Sequence, residues 1–230
     1  MVIFQYTNKG NQDINQDYAG YRILNVDSAV CVVADGIGGY DYGEFASEAF
    51  VRGFLTYARW NFGHENPIDL LKHAFASGDD HVHHVHASKG GFLVGTVAVA
   101  ALVIKDKAYI AWIGDSRATL IRNEKIVRQT IDHSYLQYMY NSGKIPTLVE
   151  LECFNSLITK AIHGMGDTDK NIEILEWDLH SSDLLFLSSD GFHKDFSFFN
   201  LPQNSKEIES FMNNRTSQMN DNTTFLRIEI

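Results

Sequence analysis

The chain has 230 residues, 44% of them hydrophobic and 21% charged, which suits one large domain with a sizeable core and excludes a disordered chain. A formal net charge of -10 excludes a nucleic-acid backbone as the expected partner, although bound metal ions can reverse an acidic potential locally and admit phosphates. Two distant cysteines, Cys31 and Cys153, form no paired spacing, which argues against a disulfide scaffold and for a reduced, cytoplasmic protein.

In chain order, Val2 to Tyr6 alternates as a strand, without the charged and long apolar regions of a signal peptide. A polar loop from Lys9 ends in Asn15-Gln16-Asp17, and Tyr18 to Leu24 resumes a strand. The apolar run beginning near Ala29 reads as a buried strand that ends on Asp35 at the turn Gly36-Ile37-Gly38-Gly39. A carboxylate there would repel a phosphate, yet it suits a hard divalent cation held beside the Gly36 carbonyl. The dinucleotide-binding fingerprint fails, because Asp41 stands where its third glycine belongs.

A helix is expected from Glu44, with Ala46, Ala49, Phe50, Gly53, Phe54 and Tyr57 on one apolar face. Pro67 suits the first turn of a second helix striped by Leu71, Phe75, Val82 and Val85. Its polar side carries His81, His83, His84 and His86, and no cysteine or carboxylate completes a ligand set around them. They read as a solvated face near the helix C-terminus, where positive character suits the dipole.

Gly95 to Ile104 and Ala108 to Ile113 form one expected hairpin, and Ala118 to Arg122 with Lys125 to Gln129 another. The pattern becomes irregular from Thr130 to Met165, as in a flap. Ile172 to Trp177 and Leu184 to Ser188 are strands, a short helix is expected after Ile208, and Phe225 to Ile230 is a last strand. Short connections imply antiparallel pairing, hence a single α+β domain over 1–230. No segment is apolar for long enough to span a bilayer.

Five aspartates border these strands: Asp17, Asp35, Asp115, Asp190 and Asp221. One such residue is ordinarily a turn former; several, each beside an apolar strand, point to convergence. An oxygen-only set suits Mn²⁺ or Mg²⁺. Two ions sharing a carboxylate would lie about 3.5–4 Å apart with an activated water between them, which is the chemistry of phosphate-ester hydrolysis. A cysteine phosphatase is excluded, because the arginine it needs six positions after its thiolate is Ile37 after Cys31 and Thr159 after Cys153. Gly114-Asp115-Ser116 begins like a serine-hydrolase elbow, but Ala118 replaces the closing glycine.

The motifs Asn15-Gln16-Asp17, Asp35-Gly36-Ile37-Gly38-Gly39, Gly43-Glu44-Phe45-Ala46-Ser47, Gly95-Thr96, Gly114-Asp115-Ser116-Arg117, Asp132-His133-Ser134, Ser189-Asp190-Gly191 and Asp221-Asn222-x-Thr224 occur in the order of one family. Along nearly its whole length the chain resembles the metal-dependent Ser/Thr protein phosphatases of the PP2C (PPM) family, in their compact bacterial form. The resemblance implies a β-sandwich of two antiparallel sheets flanked by helices (a four-layer αββα fold) with two catalytic Mn²⁺ or Mg²⁺ ions, and a third in bacterial members. By motif, Asp35 would bridge the catalytic ions, the Gly36 carbonyl would bind one, and Asp190 and Asp221 would complete the other. Asp17 would hold metal-bound water, and Asp115 with Asp190 would form the third site. Substrates would be phosphorylated proteins, including targets of a cognate Ser/Thr kinase, handled by a monomer without nucleic acid or membrane.

Two positions depart from the family. The phosphate-gripping arginine before the first motif is Gln12 here, which leaves Lys9 or Arg22 as substitutes. Ile37 stands where many eukaryotic members carry a histidine. The alternative reading, resting on Gln12, is a catalytically silent module of the same fold that binds a phosphoprotein or another partner.

Overall fold

The structure is a computed structural model that describes residues 1–37, 42–90 and 92–230. Gly38 and Gly39 of the expected glycine turn lie outside the described residues, as does Asp41.

Among the described residues, ten strands form two sheets: β1 (Val2–Asn8), β2 (Asp17–Asn25), β3 (Ser28–Gly36), β4 (Thr96–Ile104), β5 (Lys107–Ile113), β6 (Arg117–Arg122), β7 (Lys125–Gln129), β8 (Glu173–Asp178), β9 (Leu184–Ser188) and β10 (Thr223–Glu229). One sheet runs β1-β10-β9-β6-β7 and the other β2-β3-β4-β5-β8. All pairings within them are antiparallel. The β6–β7 turn is as tight as its sequence implied, with Asn123 and Glu124 both at positive φ.

Side-chain alternation divides the core into three layers. On β3, Val30, Val32 and Ala34 face α1 (Gly43–Asn61) and α2 (Pro67–Ser88), joining Phe50, Phe54, Leu71 and Phe75. Cys31 and Val33 face the other way, into the inter-sheet layer with Leu120, Leu187, Leu226 and Ile228. Burial raises the Cys31 thiol pKa, so it packs as an inert small hydrophobe. The outer face of the first sheet packs Phe186 and Phe225 against Phe192, Ile208 and Met212. The result is the expected helix–sheet–sheet–helix sandwich.

Local signals explain the helix boundaries. Asn66 caps α2 by accepting from the Asp69 N–H at 3.0 Å, with Pro67 in the first turn. The irregular stretch holds α3 (Tyr135–Asn141), capped by Ser134, and α4 (Leu148–Phe154), whose Thr147 and Glu150 make a reciprocal capping box. One helical turn, α5 (Thr168–Asn171), precedes β8. Two elements differ from the sequence reading. The helix expected after Ile208 already starts at Ser205, as α7 (Ser205–Asn213), because Asn204 caps it. A six-residue helix, α6 (Asp190–Asp195), follows β9 directly and is too short to leave a periodic signature.

Among the described residues, no helix is long and apolar enough to cross a membrane. Two of the α2 histidines are bound to backbone: His81 Nδ1 to the Ser77 carbonyl and His83 Nδ1 to the Gly164 carbonyl.

Candidate active site

The expected aspartates gather at one end of the sandwich because of strand parity and register. Asp17 opens β2 directly opposite Asp35 on β3. Asp17 shares the inward face of Ala19, and Asp35 that of Cys31 and Val33. Both carboxylates therefore emerge at the mouth of the inter-sheet layer. Asp115 lies in the three-residue crossing from β5 in one sheet to β6 in the other. Asp190 opens α6 at the end of β9, and Asp221 lies just before β10.

A cleft of about 160 Å³ is lined by Asp35, Gly36, Asp115, Asp190 and Asp221, together with Ile37, Val97, Ser156, Ile158 and others. A larger cavity of about 760 Å³ lies elsewhere, lined by Phe186, Phe198, Leu201, Arg227 and others. The smaller cleft holds the convergent carboxylates, so chemistry rather than size selects it.

The supports are specific. Ser189 precedes α6 in the N-cap position but donates its hydroxyl to Asp17 Oδ2 at 2.7 Å instead of capping. It also accepts from the Thr224 N–H at 3.1 Å. Asn222 accepts from the Gln16 N–H at 2.7 Å and donates to the carbonyls of Lys9 and Ile14, fastening the last strand to the first loop. The Thr96 hydroxyl donates to the Asp35 carbonyl at 2.7 Å. Two glycines permit close approach: a Cβ on Gly36 would lie 2.5 Å from the Gly43 backbone, and one on Gly191 would lie 2.1 Å from the Asn222 carbonyl oxygen.

Burial dominates the electrostatics, and like charges add to it. Burial, offset in part by the Ser189 bond, pushes Asp17 up to about 7. Burial, with the neighbouring charge of Asp190, does the same to Asp115. Asp35 is held well above the carboxylate range by desolvation and by Asp17, Asp190 and Asp115. Asp190 goes the other way: burial raises it, but Lys194 Nζ, 2.6 Å from its Oδ2, outweighs that and lowers it.

Among the described residues, no three of His, Cys, Asp and Glu already stand together as a metal-holding group. Two observations nevertheless fit divalent cations. The charged lining groups are carboxylates, of which Asp35 is disfavoured as an anion by burial and by its charged neighbours, and Asp17 Oδ1 is buried with no hydrogen-bond partner.

A pH dependence follows. In the unfolded chain Asp titrates near 3.9, so the folded protein binds extra protons up to about pH 7 at Asp17 and Asp115. The stability contributed by these raised groups is lost as pH rises through that value. The buried histidines His133 and His193 have lowered pKa values and act oppositely, but mainly below about pH 6.5, the unfolded imidazole range. Thermal melts in EDTA are therefore expected to fall from pH 6.5 and level off towards pH 8, by up to about 1 kcal/mol per pH unit per carboxylate at the lower end, and added Mn²⁺ should restore more stability at the higher pH. A flat or rising melting temperature in EDTA over that window would contradict this account.

The family model for protein phosphatase 2C matches residues 5–227. The chain belongs to that family. Protein phosphatase PhpP of Streptococcus pneumoniae is 30% identical over 183 residues, covering 77% of this chain and 72% of that protein. The serine/threonine phosphatase stp of Listeria welshimeri is 27% identical over 187 residues, covering 77% and 71%. Among solved structures, the serine/threonine phosphatase Stp1 of Staphylococcus aureus superposes with a TM-score of 0.81 at 25% identity, covering 99% of this chain and 94% of that one. The catalytic domain of PstP, solved with two manganese ions, shares the fold at 21% identity, with a TM-score of 0.79 and coverage of 98% and 96%.

Within this phosphatase 2C fold, the substitutes for the absent arginine fall unevenly. Gln12 reaches the Asp221 loop, but its amide donates to the Asn220 carbonyl at 3.0 Å. Lys9 contributes its backbone carbonyl to Gln12 and Asn222. Arg22 is misplaced for the role: it lies five residues along β2 from Asp17, about 17 Å away, with its guanidinium on the Tyr21 carbonyl. Arg117 is engaged in a bidentate pair with Asp132 at 2.7 and 2.6 Å. His133 Nδ1 accepts from the Gly114 N–H while its own N–H donates to the Gly114 carbonyl, pinning the Asp115 turn. Sequence reasoning missed Lys194 and the clamping roles of Ser189 and Asn222. The i, i+4 spacing from Asp190 was the one available sign of Lys194, and it has meaning only on a helix.

Proposed function

We propose that this phosphatase 2C chain hydrolyses phosphoserine and phosphothreonine in proteins, by direct attack of water in the aspartate-lined cleft. The observation that carries the reading is the convergence of Asp17, Asp35, Asp115, Asp190 and Asp221 from five separate chain segments on one end of the sandwich. The names of the relatives in Streptococcus and Listeria support the substrate class.

Asp35, Asp190, Asp221 and the Gly36 carbonyl would hold two Mn²⁺ or Mg²⁺ ions. When bound, such ions supply a water acidified toward neutrality and neutralise phosphate oxygens. The residues do the rest. Ser189 fixes Asp17 through Oδ2, which leaves the unpartnered Oδ1 to accept a hydrogen bond from the attacking water and orient it. Asn222 keeps the Asp221 loop against the Gln16 segment, so carboxylates distant in sequence hold one geometry. Val97, Ile37 and Ile158 give the cleft apolar walls that limit bulk water around the phosphate.

The stretch 130–165 acts as a flap governing protein substrates. Ser156 and Ile158 border the cleft, while Tyr138, Ile145, Leu148 and Val149 stand exposed beyond it. Targets of a Ser/Thr kinase are the matching substrates, and the chain works as a single domain and a monomer.

The test is phosphate release from a phosphothreonine peptide with and without Mn²⁺, beside Asp190→Asn. Metal-dependent turnover in the wild type and its loss in the variant are expected. A folded, Mn²⁺-loaded wild type that releases no phosphate from any phosphopeptide would instead mean the silent binding module, with Gln12 as the lost grip.

A further inference from the structure

Lys194 is a cation at the border of the cleft, in contact with Asp190 of its lining. It sits one helical turn after Asp190 on α6, so both side chains share a face, and its Nζ rests 2.6 Å from Asp190 Oδ2. The side chain is only 34% exposed. Its charge also favours the ionised forms of Asp115 and Asp221. The neighbouring guanidinium of Arg117 is forked onto Asp132, so the Asp115–Asp190 edge takes its direct counter-charge from the lysine.

We propose that the Lys194 ammonium is the built-in cation of the Asp115–Asp190 edge, so that this chain binds two divalent ions and has no room for a third. The inference rests on the metal-holding role given to the cleft under the proposed function. An ammonium has three donors and no acceptor, and it can neutralise one carboxylate while donating to its surroundings. Being tethered through the same short helix as Asp190, it is present at any metal concentration and does not have to be captured from solution. An additional divalent ion at this edge would have to displace it from Asp190 and accept a like charge a few ångströms away. Asp115 is then a carboxylate that sets the local field, rather than an obligatory ligand.

The measurement is the number of Mn²⁺ ions bound per chain, by equilibrium dialysis and titration calorimetry, which needs no turnover. Wild type is compared with Lys194→Asn and with Lys194→Gln, the latter keeping a helix-favouring stem in case the shorter side chain unsettles α6. Each is also prepared with Asp115→Asn. Two ions are expected in the wild type and three in either lysine variant. Adding Asp115→Asn should return the lysine variants to two and leave the otherwise unaltered chain at two. A wild type that takes three ions, or lysine variants that stop at two, would overturn this inference alone. A wild type that binds none overturns the metal-holding reading and this inference together.

Discussion

Asp35→Asn is expected to lower Mn²⁺-dependent turnover about 10³-fold, equivalent to about 4 kcal/mol of transition-state stabilisation, while raising the melting temperature in EDTA. The two effects have one cause. Asp35 stands against Asp17 and has Asp190 and Asp115 as charged neighbours, so its ionised form is disfavoured in the folded chain without a cation. A neutral isostere removes that repulsion, and each kcal/mol relieved is worth about 2–4 °C in a chain of this size. The same substitution takes away the carboxylate proposed to serve both ions. Initial rates on a phosphothreonine peptide, with melts in EDTA and in Mn²⁺, test both halves. A variant that loses activity and also melts lower without metal would show that Asp35 is held for the fold rather than for ions.

Asp183→Ala is expected to do the reverse: a large loss of stability with turnover intact below the melting transition. Asp183 lies in the β8–β9 connection with its side chain wholly buried, forked to Arg122 Nε at 2.8 Å and to an Arg122 terminal nitrogen at 2.7 Å. It also accepts from the His180 N–H at 2.9 Å. Removing one member of such a pair strands the other and costs about 3–5 kcal/mol. The partial exposure of Arg122 places the cost at the lower end, a fall in melting temperature of about 6–12 °C. The sign with pH is fixed. Burial raises Asp183, but Arg122 and the backbone bond outweigh it, so its pKa is lowered. Its stabilisation is therefore present above about pH 3.9, the unfolded value, and is lost as pH falls through the folded one. Chemical denaturation at pH 7 and at pH 3 separates the cases: equal destabilisation of wild type and variant across that range would rule out an ionised pair.

The fold was legible where periodicity spoke. Apolar runs fixed most strands, and short connections fixed antiparallel pairing. Strand parity then brings Asp17 and Asp35 to the same mouth, because Ala19, Cys31 and Val33 can only face the inter-sheet layer. What could not be read depends on contacts between remote segments or on elements too short for a pattern. α6 has six residues, so neither the helix nor the pairing of Lys194 with Asp190 was visible. Asn222 looks like an ordinary turn residue until its amide is seen bridging to Lys9 and Ile14, more than 200 positions away. Gln12 could be singled out in the sequence, but only the folded loop shows its amide engaged by the Asn220 carbonyl.

The place of β10 has a consequence during synthesis. That strand is made after β1 and β9 yet lies between them, paired with both, and the segment leading into it brings Asp221 and Asn222 to the cleft. A nascent chain still holding residues 219–230 in the ribosomal tunnel has a gap inside one sheet, no fastener on its Gln16 segment and an incomplete set of carboxylates. Long-range closure of this kind comes late in folding. A chain that stops before residue 219 is therefore expected to be inert rather than partly active, which phosphate release by the shortened chain would contradict.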